Sequence, residues 1–119
     1  MKYLCLVYYE EAKLDGLSKS ELDALVAESF AYREVLQKSG HYVASQALQS
    51  IQTATTIRRG SNGKLSMTDG PFAETKEQLG GFLLIEARDL NDAMQVASKM
   101  PSGRLGSIEV RPIRELTAP

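Results

Sequence analysis

The chain has 119 residues, the size of one domain, and carries 14 Lys+Arg against 15 Asp+Glu for a net charge of −1. Hydrophobic residues at 43% and charged residues at 24% lie near the globular average, which excludes a disordered, collagen-like or long coiled-coil chain. The balanced charge lacks the basic footprint of a nucleic-acid binder, and the single Cys and single His exclude an internal disulfide and make a poor zinc set. No apolar run approaches the roughly 18 residues of a membrane span. One domain over residues 1–119 is therefore expected, cytoplasmic, with no metal, no cofactor, no nucleic acid and no membrane among its partners.

Residues 2–9 (KYLCLVYY) read as a strand. Both of its faces are apolar: Tyr3, Cys5, Val7 and Tyr9 on one, Leu4, Leu6 and Tyr8 on the other. Such a strand needs cover on both sides. Ser18-Lys19-Ser20-Glu21 is a capping box, and the helix it opens runs to about Ser39, with Gly40 as its stop. At about 100° per residue, Leu22, Leu25, Val26, Phe30, Tyr32 and Leu36 fall within an arc of roughly 160°. Ser29 and Arg33 lie inside that arc, where a purely structural stripe is apolar.

His41–Ser45 reads as a short strand, and Thr53–Arg59 with Lys64–Thr68 as a hairpin turned at Gly60-Ser61-Asn62-Gly63. Leu79–Ala87 is a strand entered through Gly80-Gly81. Asp89 caps a helix over Leu90–Met100 that Pro101 stops, and Ser107–Arg114 is the last strand. Without the hairpin the order is βαββαβ, an α+β, ferredoxin-like unit with both helices on one sheet face. The bare apolar face calls for a second sheet, and a homodimer through it is the simplest cover.

The connection from Asp69 to Glu77 holds four ionisable groups (Asp69, Glu74, Lys76, Glu77) beside the rigid turn Gly70-Pro71. Facing a cleft, these carboxylates suit acid–base work; facing water, they are an ordinary solvated loop. Phe72 is expected to anchor the loop in the core. His41 follows a helix stop, where a cation is favoured by the helix dipole, and serves either as a cap or as a general base. Tyr8 lies near the end of its strand, within reach of a cleft.

Asp69-Gly70-Pro71-Phe72, with Ala73-Glu74-Thr75-Lys76-Glu77-Gln78-Leu79-Gly80-Gly81, resembles the signature of the DGPF proteins, a branch of the YCII-related family. Met1-Lys2-Tyr3-Leu4, Ala54-Thr55-Thr56-Ile57-Arg58 and Gly106-Ser107-Ile108-Glu109-Val110-Arg111-Pro112 are similar to it too. The resemblance implies a dimeric α+β barrel. It also implies a family of small bacterial proteins, some in genomic company with extracytoplasmic-function sigma factors, and in its wider circle acid–base catalysis by a His–Asp pair. That family's helix histidine falls near Ser29, where this chain has serine, and Ser29 and Arg33 lie where the family has its pocket.

The expected function is binding of a small ligand, anionic or carbonyl-bearing, in a cleft near the Asp-Gly-Pro-Phe loop, with cofactor-free acid–base chemistry of isomerase or lyase type. Asp69, Glu74 and His41 are the candidate catalytic groups, and Ser29, Arg33, Tyr8, Lys76 and Glu77 the candidate ligand-binding ones. The alternative is a non-catalytic accessory or regulatory module acting with a sigma-factor system.

Overall fold

A computed structural model describes residues 1–119. Strand β1 (Lys2–Tyr9) is followed by a short helix α1 (Glu11–Asp15), the long helix α2 (Lys19–Lys38) and strand β2 (Tyr42–Ala47). Strands β3 (Thr55–Arg59) and β4 (Leu65–Asp69) form a separate two-stranded arm. Strand β5 (Gln78–Glu86), helix α3 (Leu90–Ser98) and strand β6 (Gly106–Pro112) complete the chain. The main sheet has the order β2-β5-β1-β6 with antiparallel neighbours, which is the ferredoxin-like arrangement expected, with the arm inserted between β2 and β5.

Local chemistry sets the element ends. The Ser18 hydroxyl accepts from the Glu21 amide while the Glu21 carboxylate accepts from the Ser18 amide, so both halves of the capping box are made. Gly40, at φ +79°, takes the left-handed step that ends α2. The arm's loop is a turn closed by the Gly63 amide on the Gly60 carbonyl, with Gly63 itself at positive φ. No residue other than glycine has positive φ, so the Asn-Gly pair does not form the two-residue hairpin turn its sequence suggests; the turn plus left-handed Gly63 gives a longer loop.

One face of the sheet carries the core. Cys5 and Ile85 are fully buried, and Tyr3, Leu83, Leu36, Ala93, Val96 and Ala97 close round them. The Tyr32 hydroxyl donates to the Val96 carbonyl at 2.6 Å and pins α2 to α3. The opposite face has no helix. There Leu4 sits opposite Leu84 and Leu6 opposite Phe82, all half-buried, as the two-faced first strand predicts.

Two expectations change. Helix α1 is not foreseen by the sequence reading; its five residues are too few for a hydrophobic period to show. Phe72 is 72% exposed and does not anchor its loop in the core. The loop is instead held by main-chain acceptors: the Arg58 guanidinium donates to the Phe72 carbonyl, and the Thr56 hydroxyl to the Gly70 carbonyl at 2.8 Å.

Candidate functional site

The helix-side face of the sheet opens into a cleft of about 440 Å³ between α2 and the adjoining ends of β1, β2 and β5. Its cause lies in α2. The C-terminal half packs down through Tyr32 and Leu36, whereas at the N-terminal half Leu22, Val26 and Phe30 line the cavity yet remain 38, 45 and 61% exposed. The stripe that would otherwise be core is therefore a cleft wall. Glycines keep the floor low. A Cβ on Gly81 would come within 2.7 Å of the Gln46 carbonyl, and one on Gly80 would overlap the Tyr9 ring. The Tyr9 ring lies over Gly80 where β1 and β5 shift register between Val7 and Tyr8.

Few polar groups line this apolar space: Tyr9, Ser29, Arg33, Ser45, Gln46 and Ser102. The Ser29 hydroxyl donates to the Leu25 carbonyl at 2.9 Å, which leaves its lone pairs to accept from a ligand. The Arg33 guanidinium lies 5.0 Å from the Tyr42 ring centroid and is held there by cation–π attraction. No carboxylate pairs with it, and Arg33 stands solvent-exposed on the cleft wall with its charge unneutralised. The Tyr42 hydroxyl in turn bonds the Ser45 hydroxyl at 2.9 Å. Burial first, then the charges of Glu11 and Asp15, push the Tyr9 hydroxyl above its ordinary pKa, so it stays a proton donor near neutrality. None of the 18 lining residues is a carboxylate or an imidazole.

The structure brings Ser29 and Arg33 together and leaves the other candidates elsewhere. Tyr8 pairs with Leu79 and Ser107 and points to the bare face; odd-numbered β1 residues face α2, so Tyr9, not Tyr8, reaches the cleft. Asp69 is exposed at the end of β4, and Glu74 and Lys76 are exposed on the loop after it; none borders the cleft. Glu77 is turned to β6 and accepts from the Ser107 hydroxyl at 2.8 Å.

His41 stands at the other end of the same strands, just before β2, four residues and roughly 13 Å from Ser45, the first cleft residue on that strand. Its Nε2 lies 3.1 Å from Asp92, and its Nδ1 lies 2.7 Å from the Ser39 hydroxyl. Asp92, buried in the first turn of α3, also accepts from the Arg88 amide at 3.0 Å. The Arg88 amide, then the His41 and Arg88 side chains, lower the Asp92 carboxyl to about 2 against the opposing effect of burial. Sequence reading missed Asp92 as a partner because 51 residues separate it from His41. It missed Tyr9 only by choosing the wrong parity at the strand end.

An α+β, ferredoxin-like chain with a polar-studded apolar cleft under its long helix is the class this geometry defines. The chain matches the YCII-related domain over residues 1–117 and belongs to that family. It is 35% identical over 115 residues to an uncharacterised protein of Rhizobium meliloti (strain 1021), spanning 95% of this chain and 92% of the relative. Among solved structures it is similar to 5-chloro-2-hydroxyhydroquinone dehydrochlorinase from Burkholderia phenoliruptrix AC1100, in complex with 2,5-dihydroxybenzoquinone. That likeness has 19% identity and a TM-score of 0.49, and covers 96% of this chain and 94% of the other. No helix is long and apolar enough to cross a membrane.

Proposed function

We propose that the cleft under α2 binds one small molecule with an apolar body and an anionic or carbonyl group, and that the working protein is a homodimer through the bare sheet face. The observation that carries the reading is Arg33, a guanidinium with no carboxylate partner on the wall of a mostly apolar cavity. A guanidinium presents a planar fork that matches a carboxylate or a polarised carbonyl, and apolar walls strengthen that attraction by excluding water. Ser29 and the Tyr9 hydroxyl add an acceptor and a donor at fixed positions. A cavity of about 440 Å³ lies within the usual range for small-molecule sites.

Such an arrangement suits stabilisation of an enolate or a similar oxyanion, the demand made by cofactor-free isomerase or lyase chemistry. It still needs a base. Asp69 and Glu74 are the carboxylates assigned to that task, and within one subunit they stand outside the cleft.

Isothermal titration of small carboxylates against their neutral alcohols tests the reading. The acids are expected to bind wild type better than the alcohols, and Arg33→Ala is expected to remove the difference. Equal binding of acid and alcohol by wild type contradicts it.

A further inference from the structure

The arm is an unfinished structure. Strands β3 and β4 pair only with each other. Residues that pair directly share a face, so Thr55–Asp69, Ile57–Met67 and Arg59–Leu65 define one side of the arm. Ile57, Leu65 and Met67 on that side are 62, 54 and 71% exposed. The other side is occupied, since Thr56 and Arg58 bind the Asp-Gly-Pro-Phe loop back onto the arm. Whatever covers the apolar side therefore also meets the Asp69 carboxylate.

The arm's own subunit does not cover it. The Glu11 carboxylate accepts from the Ile51 amide at 2.7 Å and the Ser50 hydroxyl at 2.8 Å, and the Gly70 amide donates to the Ala54 carbonyl at 2.7 Å. These bonds fix the root of the arm in a direction that leaves Asp69 clear of its own cleft. The cleft has the complementary deficit: an exposed apolar rim of Leu22, Val26 and Phe30 around an unpaired guanidinium.

We infer that the cleft is completed by the arm of a second copy, which lays Ile57 and Met67 on the α2 rim and brings Asp69 opposite Arg33. The occupant is this chain because the two surfaces match in both respects, apolar strip to apolar rim and carboxylate to guanidinium. A two-fold pair satisfies both clefts at once. This rests on the ligand-cleft reading above and adds to it the missing carboxylate.

The test is cross-linking between two differently tagged, co-expressed chains, one carrying Asp69→Cys and the other Ser29→Cys, with a short bismaleimide. Cys5 does not compete, since burial pushes its thiol up to about 11. The expected product is a cross-linked species containing both tags. Ile57→Cys in place of Asp69→Cys is expected to give it too, and Thr56→Cys, on the opposite side of the arm, is not. A dimer that gives no product with either Asp69→Cys or Ile57→Cys overturns the inference. So does a cross-link formed within one chain carrying both Asp69→Cys and Ser29→Cys. Titration of wild type with the carboxylates, run alongside, separates the claims: Arg33-dependent binding without the cross-link retains the ligand reading and removes the arm, and the cross-link without binding does the reverse.

Discussion

Arg33 is legible in sequence because a long charged side chain inside an apolar helical arc is a local contradiction, and the structure resolves it by opening a cleft there. Charge-assisted hydrogen bonds contribute about 1.5–3 kcal/mol. Arg33→Ala is thus expected to weaken carboxylate binding about 10- to 100-fold, with Arg33→Lys intermediate because it keeps the charge and loses the fork. His41 with Asp92 was legible only in half. The folded Asp92 carboxyl titrates at about 2, below its usual 3.8, so its contribution is complete above the unfolded value and is lost as pH falls through the folded one. Denaturant midpoints of wild type and Asp92→Asn are expected to converge between about pH 4 and 2, wild type being the more stable above that window. A gap that stays constant with pH contradicts the assignment.

At the scale of elements, β1, α2, β5 and α3 follow from hydrophobic period and caps, each to within two residues or so. The Asp69–Glu77 segment was not readable in this way. A Gly-Pro turn and four charges fit both a cleft lining and an exposed loop, and the hydrogen bonds that decide its path run from Thr56 and Arg58 on a strand far back in the chain. The glycines of the sheet are similar: their need shows only when the neighbour is in place. A Cβ on Gly106 would overlap the Tyr8 carbonyl and come within 2.8 Å of the Tyr9 Cα, where main chain has little room to move. Gly106→Ala is expected to cost about 1–3 kcal/mol by overpacking, read from chemical denaturation. The three atoms nearest a Cβ on Gly80 all belong to the Tyr9 side chain, so Gly80→Ala should displace that ring, cost less stability and alter ligand affinity. Ile85→Ala, at the centre of the core, is expected to cost about 2–5 kcal/mol and leave the cleft's selectivity for acids in place.

The whole molecule is a plate with one finished face. Its helices cover Tyr3, Cys5 and Ile85, while Leu4, Leu6, Phe82 and Leu84 wait on the other side. Sedimentation at micromolar concentration is expected to give a dimer, and Leu6→Glu, which sets a charge in the middle of the bare face, to give a folded monomer. A wild-type monomer contradicts that expectation. The central claim is narrower: the cleft under α2 recognises a charged or carbonyl group through Arg33. An amide-resolved NMR titration with a small aromatic carboxylate and its neutral alcohol tests it most directly. The account predicts acid-specific shifts at Ser29, Arg33, Ser45 and Gly81, with His41 and Asp92 unmoved; shifts confined to the His41–Asp92 end, or the same for acid and alcohol, would contradict it.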